Sequence, residues 1–321
     1  MTRFLLSRLI GALVVLVVKS FVIFALIGLM PGDPIDLLAT ANPDATAEDV
    51  TKLRQIYGVD QPITHRYLQW VHGVLEGDLG YSRITHRPVA EMVGPALQNT
   101  LILTATAFFI STCIALTLGT LAALHRGRWI ERVINLTAFT GISVPGFWLG
   151  LLLIYTFAVK WGLLPAGGMP RDEGDYAPWQ FLVLPLATLV LVEIGGLTRY
   201  MRSAMLEVLN QDYIRTARAK GLGSSRILWA HALRNAMIPV ITIIALGLGH
   251  LFSGATLIET IFGWRGMGRL IYEAIMGNDY NVALVCLMLT TALILLANVL
   301  ADWAAISVAR WTWCSCASPT S

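Results

Sequence analysis

Long apolar runs recur along the chain and constrain its fold more than any other feature. Each run is close to the roughly 20 residues that a helix needs to cross the hydrocarbon core of a bilayer. Only 13% of the 321 residues are charged, against about 25% in an ordinary soluble domain. The runs also lack the polar faces of helices in a large soluble core. The pattern predicts six membrane spans, at residues 9–30, 99–124, 133–160, 179–200, 237–258 and 282–307.

The first run resembles a signal peptide because it follows Arg3 and Arg8. Its apolar part continues to Met30, which is longer than the roughly 7–15 apolar residues of a signal peptide. A sequence similar to a cleavage site, at 39–41, follows only about ten residues later. We therefore expect this segment to be retained as a membrane anchor.

Lysine and arginine are distributed unevenly between the loops. With the N-terminus in the cytoplasm, the inner pieces carry 13 Lys or Arg and 3 Asp or Glu, whereas the outer pieces carry 9 and 15. The loop at 199–236 alone contributes seven of the inner positive charges. Since positive residues near span ends mark the cytoplasmic side, both termini are predicted to lie inside. The basic loop is explained by this topology, and no nucleic acid is expected as a partner.

The outer segment 31–98 differs from the spans in composition. Two prolines at 31–34 end the first span, because proline breaks the helical hydrogen-bond ladder. Short helices are expected at 46–57 and 63–75, with a turn at 77–82. The segment is too poor in large apolar side chains to be an independent domain, so we expect an outer lid or docking surface.

A basic block at 212–239 separates two apolar runs. Asp212 is the predicted N-cap of a short helix that stops at Gly221, and a second helix at 225–236 leads into the fifth span. Small residues, among them Thr216, Ala217 and Ala219, stand beside basic ones and would let a partner approach closely. The alternative is a solvated amphipathic connector.

The block resembles the cytoplasmic loop of ABC-importer permeases, whose pattern is E-A-A-x3-G-x9-I-x-L-P. Residues 215–217 stand at the E-A-A positions and Gly221 at the glycine, although the Glu, Ile and Pro of the pattern are absent. The dipeptide, oligopeptide and nickel branch shares these departures. Its sequences A-R-A-K-G-L and H-A-L-R-N-A-x-I-P occur here at 217–222 and 231–239.

Other motifs similar to those of this branch occur in order along most of the chain. They lie at 31–34, 77–82, 145–150, 163–165, 259–268 and 298–302. The tail departs from the branch, which commonly closes with Asp-Pro-Arg, because Ala309-Arg310-Trp311 stands here.

The resemblance implies an all-α integral membrane protein with six transmembrane helices, the type I ABC-importer permease fold and a place in the bacterial or archaeal inner membrane. It divides the chain into an N-terminal end with the first span, an outer segment, a permease core with a coupling loop, and a cytoplasmic tail. These are 1–30, 31–98, 99–307 with the loop at 201–236, and 308–321.

The resemblance also implies partners: a second related permease, two ATP-binding subunits, an external solute-binding protein and membrane lipid. The chain has no G-x-x-x-x-G-K-[ST] phosphate loop, so ATP and Mg²⁺ are expected in the partner ATPases and no cofactor here. Two thiols in a C-x-C at 314–316 are a poor zinc set, so no metal is expected.

Other function classes fit less well. H-E-x-x-H and G-x-S-x-G are absent, which argues against an intramembrane enzyme. A secondary transporter would explain six spans but not the cytoplasmic block, and no inverted repeat of broken helices is visible.

By the resemblance, the block holds a coupling helix that sits in a cleft of the ATPase and joins the fourth and fifth spans. Its residues are Asp212, Tyr213, Ile214, Arg215, Thr216, Ala217, Arg218, Ala219, Lys220, Gly221 and Leu222.

Lys19, Glu193 and Asp302 stand inside predicted spans, away from the first and last residues of each span. A charge at the centre of a span costs about 2.5–3.5 kcal/mol on insertion scales, so such groups face protein or water. Lys19 could snorkel, meet a partner chain or line a cavity. Glu193 could line the passage or meet the second permease, and Asp302 could be a cap, an ion-pair partner or a pathway residue.

On the outer side, Asp44, Glu48, Asp49 and Glu259 are expected to dock the solute-binding protein. Peptides of two to several residues are the leading substrate class. Nickel chelates, glutathione-like thiols and sugars remain alternatives, because the binding protein selects most of the ligand.

Overall fold

A computed structural model describes residues 2–28, 61–169, 176–250 and 255–317, with the backbone alone at 2–5, 248–250 and 302–317. Within these ranges the chain is helical, without β-strands beyond one isolated bridge between Tyr81 and Pro88. The helices are α1 (Thr2–Gly28), α2 (Ile63–Glu76), α3 (Val89–Leu124), α4 (Trp129–Ser143), α5 (Gly146–Lys160), α6 (Gln180–Leu209), α7 (Asp212–Ala219), α8 (Ser224–Arg226, continued by Ile227–Leu233 and Arg234–His250), α9 (Thr256–Ile261), α10 (Met267–Met276) and α11 (Tyr280–Ala317).

Five helices in the described ranges are long and apolar enough to cross a membrane: α1, α3, α6, α8 and α11. Together α4 and α5 would make the sixth crossing, but they meet at an angle of 102°. The predicted third span at 133–160 is therefore a bent pair of helices in the structure. Pro145 cannot donate to the helical ladder, and Val144 before it is extended (φ −90°, ψ 124°).

Helix α6 packs against α3 and α4 at glycines. A Cβ atom added to Gly119 of α3 would lie 2.6 Å from Met201 Cβ and 2.7 Å from the Thr198 carbonyl oxygen on α6. One added to Gly141 of α4 would lie 2.7 Å from the Leu191 carbonyl oxygen. Glycine permits this close approach because it carries no side chain, as is common between membrane helices.

In the part of the chain that the structure describes, most of the buried apolar side chains fall into three clusters. One joins α3, α6, α7 and α8 around Met201, Met205 and Ile214, and we call it the inner cluster. Another joins α3, α10 and α11 around Val89 and Val282. The third surrounds Leu103, Leu184 and Phe262. The inner cluster therefore carries α7 on the ends of three long helices.

The outer turn at 77–82 is fastened to the start of α11. Asn281 Nδ2 donates to the carbonyl oxygens of Leu79 (3.0 Å) and Tyr81 (3.1 Å), and Ser82 Oγ donates to Asp279 Oδ2 at 2.5 Å. Helix α2 and this turn confirm the expectations for 63–82. The helix expected at 46–57 lies outside the described residues.

Candidate functional site

Helix α7 begins where the predicted coupling helix begins and ends three residues before Leu222, at Ala219. Asp212 is its first residue rather than its N-cap, because Gln211 occupies the extended cap position (φ −73°, ψ 150°). The end is set by Gly221, which adopts φ +78°, a conformation that favours glycine. The Leu222 amide then donates to the Ala217 carbonyl oxygen at 3.3 Å, which satisfies one of the last carbonyls of the helix.

One face of α7 is anchored inside the chain. Ile214 and Ala217 are 0% and 6% exposed and belong to the inner cluster. They are three residues apart, so they share a helix face, and this face is occupied by α3, α6 and α8. The expectation that Ala217 lets a partner approach is therefore wrong, since its neighbours belong to the same chain.

The opposite face of α7 is exposed and basic. Arg215 Nη1 lies 3.5 Å from Asp212 Oδ1, which is a long ion pair, and both side chains are solvated. Leu222, just beyond the helix, is half-buried. The exposed residues are Asp212, Tyr213, Arg215, Thr216, Arg218, Ala219, Lys220 and Gly221. This solvated face includes the small residue Ala219.

Helix α7 packs directly against the first part of α8. Residues Ile227–Leu233 are π-helical, and Ala232 and Ala236 on this part of α8 are buried in the inner cluster. Within α8, Asn235 Nδ2 donates to the His231 carbonyl oxygen at 2.7 Å. Helices α7 and α8 are therefore joined by apolar packing in the inner cluster.

An ion pair missed by sequence reasoning joins α4 to α6 on the predicted inner side. Arg202 Nε donates to Glu131 Oε1 at 2.8 Å, and the Gly127 amide donates to Glu131 Oε2 at 2.5 Å. Arg202 is thus a structural residue of the basic loop. The single acid in the short loop at 125–132 was the signal available in the sequence.

The intramembrane charges are not brought together in the described part of the chain. Glu193 is exposed on α6 and accepts a hydrogen bond from Ser111 Oγ at 2.8 Å. Lys19 is exposed on α1 and has no ion pair with another described residue. Asp302 lies on α11, where only the backbone is described.

The docking expectation for Glu259 is wrong, because its side chain is fully buried. Glu259 Oε1 accepts from Thr100 Oγ1 at 2.5 Å, and Oε2 accepts from the Arg269 amide at 3.1 Å. Thr100 Oγ1 also accepts from the Met267 amide at 2.7 Å. A Cβ atom on Gly268 would lie 2.9 Å from Glu259 Oε2, so glycine makes room for the carboxyl group. Glu259 therefore holds the N-terminus of α10.

Burial raises the pKa of Glu259 above its ordinary value, although the hydrogen bonds from Thr100 and from the amides of Arg269 and Gly268 act in the opposite direction. The other acids expected to dock a partner, Asp44, Glu48 and Asp49, lie outside the described residues.

These features define a helical membrane component with an anchored surface helix. The chain belongs to the family of binding-protein-dependent transport system inner membrane components, which it matches over residues 115–312. Residues 1–106 match the N-terminal family of the same membrane components. It is thus a permease subunit of an ABC importer in the inner membrane, and not a catalytic subunit.

The curated relatives cover almost the whole chain. The glutathione transport system permease protein GsiC of Escherichia coli strain K12 is 36% identical over 311 residues, which are 96% of this chain and 99% of the relative. The protein of the same name from Salmonella choleraesuis is 37% identical over the same coverage.

Solved structures show the same fold. An inward-facing form of the MetNI methionine ABC transporter aligns with a TM-score of 0.55 and 19% identity, over 68% of this chain and 97% of the other. An amino acid ABC transporter crystallised with histidines aligns with a TM-score of 0.52 and 14% identity, over 66% and 92%. At these identities the likeness concerns the fold alone.

Proposed function

We propose that this subunit and a second, related permease form the passage of an importer for short peptides, including glutathione-like peptides. Two ATP-binding subunits, which would hold ATP and Mg²⁺, drive it from the cytoplasm, and a solute-binding protein delivers the ligand from outside. The observation that carries this proposal is that α7 has one face buried in the inner cluster and an opposite, basic face exposed.

The proposed mechanism is alternating access. The exposed face of α7 sits in a cleft of an ATP-binding subunit, and closure of the ATPase pair upon ATP binding moves the helix. Because Ile214 and Ala217 are packed against α3, α6 and α8, the three long helices move with α7 and open the passage outward. Hydrolysis restores the inward-facing state. The outer ends of these helices and the ATPase-bound α7 then act on the same equilibrium between the inward-facing and the outward-facing state, as coupling between two sites requires.

Support for the substrate class comes from the relatives. Two relatives named as glutathione permeases match this chain at 36% and 37% identity over nearly their whole lengths. Glutathione is a tripeptide, so it falls within the peptide class that the sequence motifs favour. Uptake assays with reduced glutathione, a linear tripeptide and a nickel–histidine chelate separate the candidate classes. Uptake of the nickel chelate alone would overturn the peptide assignment.

A bulky substitution on the exposed face of α7 tests the coupling role. We expect Ala219→Trp to leave insertion and permease pairing intact but to reduce ligand-stimulated ATP hydrolysis at least about tenfold, because a close helix-in-groove contact has no room for an indole. The measurements are co-purification of the ATP-binding subunits and ATP hydrolysis in proteoliposomes.

The matched control is Ala166→Trp, which makes the same change at an exposed position of the loop after α5. It should retain the ATP-binding subunits. Wild-type hydrolysis by the Ala219 variant would mean that α7 is only a connector.

Docking of the solute-binding protein through Asp44, Glu48 and Asp49 remains part of the proposal. Reversing all three charges to Lys should slow its association and weaken or invert the salt dependence, because charges at an interface rim mainly set association rates. An unchanged association rate at low salt would place docking elsewhere.

A further inference from the structure

An outer cleft of about 600 Å³ lies between the start of α3 and helix α10. Its charged lining contains more arginine than glutamate. The charged residues are Arg87, Glu91, Arg265, Arg269 and Glu273. The cleft therefore carries a net positive charge, on the side that the charge distribution predicts to be external.

Two of the three arginines are already paired. Arg87 lies 3.5 Å from Glu91, one helical turn away. Arg269 Nε lies 2.6 Å from Glu273 Oε1, and its Nη1 donates to the Gly263 carbonyl oxygen at 2.5 Å. Arg265 differs from both, because its side chain is exposed and forms no ion pair with any described residue.

The backbone that presents Arg265 is fixed on both sides. Asn99 Nδ2 donates to the Arg265 carbonyl oxygen at 2.9 Å, and Trp264 Nε1 donates to the Asn99 carbonyl oxygen at 3.0 Å. The Gly266 amide closes the turn onto the Trp264 carbonyl oxygen at 2.8 Å. A Cβ atom on Gly266 would meet the buried Glu259 carboxyl group, so this turn is packed closely against the interior of the protein.

We propose that Arg265 is a docking cation for an acidic side chain of the solute-binding protein. The inference rests on the proposed function and adds a contact residue and the sign of its partner. A fixed backbone lowers the ordering cost of binding, and an uncompensated cation at a rim attracts a negatively charged surface.

The exposure of Arg265 favours a protein over a free solute as the source of the carboxylate. An ion pair between solvated side chains shifts an equilibrium by about fivefold at most, which is too little to hold a small molecule in open water. Within a protein interface the same charge steers the approach and raises the association rate. The acidic partner is thus expected to belong to a large surface.

The test compares Arg265→Glu, Arg265→Lys and Lys160→Glu in the complete permease–ATPase complex, reconstituted in nanodiscs. Lys160 is an exposed lysine at the end of α5, away from the cleft, so its reversal controls for net charge. The probe is the solute-binding protein that stimulates ATP hydrolysis by the wild-type complex. Its association and dissociation rates are measured at low and at physiological salt.

We expect Arg265→Glu to lower the association rate about three- to tenfold at low salt, with a smaller effect at physiological salt. The Lys variant should remain near the wild type, and the Lys160 variant should change little. Equal association of the Arg265→Glu and wild-type complexes at low salt would overturn the proposal, as would an equal loss in the Lys160 variant.

Two further outcomes separate this proposal from the function on which it rests. If the Arg265→Glu variant changes the half-saturating concentration of free solute without the binding protein, the cleft is a solute site and the docking role is wrong. If no ATP-binding subunit co-purifies with the wild-type permeases, the importer function fails before the Arg265 contact is reached.

Discussion

The surroundings of Glu259 differ strongly from those that its position in the sequence suggests, because its side chain is buried. An acid in a loop between apolar runs is normally solvated, and the sequence therefore predicted an exposed docking residue. One of its donors, Thr100, is 159 positions away in the chain, and no local pattern reports such a partner. The closely spaced glycines at 266 and 268 were the available signal, because they mark a close approach.

The raised pKa of Glu259 predicts how stability depends on pH. Because the folded-state pKa lies above the ordinary value of 4.5, the contribution of this group to stability is complete below pH 4.5 and is lost as pH rises through the raised pKa. Glu259→Gln removes the titration. We therefore expect the melting temperature of the wild type, relative to this variant, to fall as pH increases from about 4.5, measured by thermal unfolding in detergent micelles.

Glu207→Gln serves as the control for this pH series. Glu207 is exposed on α6, so this variant should follow the wild type throughout. A wild-type melting temperature that instead rises against Glu259→Gln with increasing pH would show that the hydrogen-bond donors outweigh burial.

At the scale of helices, hydropathy predicted the long spans but not their shapes. Helix α3 starts at Val89, before the apolar run at 99, because its first turns pack against α10 and α11 and do not need lipid. The third run is continuously apolar, so its length concealed the bend at Pro145. The residue pattern predicted that α7 exists and where it begins. Which of its faces is buried depends on where the inner cluster lies, and only the tertiary structure shows this.

The contact between α3 and α6 leads to a prediction about two glycines in one helix. Gly119→Ala should destabilise the protein by about 1–3 kcal/mol, because the added methyl group meets Met201 and the Thr198 carbonyl and the packed helices must shift. Gly94→Ala is the matched control, since nothing lies within 4 Å of its Cβ position. It should be neutral or stabilise by up to about 1 kcal/mol.

The measurement for both glycine variants is the midpoint of thermal unfolding in the same detergent. Equal midpoints for the two variants would mean that α3 and α6 can separate without cost, contrary to the close packing described here.

At the scale of the whole molecule, charge predicts sidedness more directly than packing does. In a background without the four native cysteines, Gly223→Cys should react with a membrane-impermeant maleimide only after the cells are opened. Glu76→Cys, at the exposed end of α2, should react in intact cells. The expectation follows from the seven positive charges at 199–236. Labelling of position 223 in intact cells would reverse the orientation and place α7 on the outer side, away from the proposed ATP-binding subunits.

The count of membrane crossings depends on the bend at Val144–Pro145. The number of crossings is even or odd according to whether the two arms on either side of the bend together cross the membrane once. Each arm has 15 residues and is at most about 22 Å long, so neither alone traverses a hydrocarbon core of about 30 Å. If the two arms did not make one crossing between them, α6 would carry the seven positive charges of the following loop to the outer surface, against the charge rule. The charge distribution therefore favours counting the two arms as one bent crossing. The predicted inner or outer side of every element after residue 160, α7 included, depends on that one crossing.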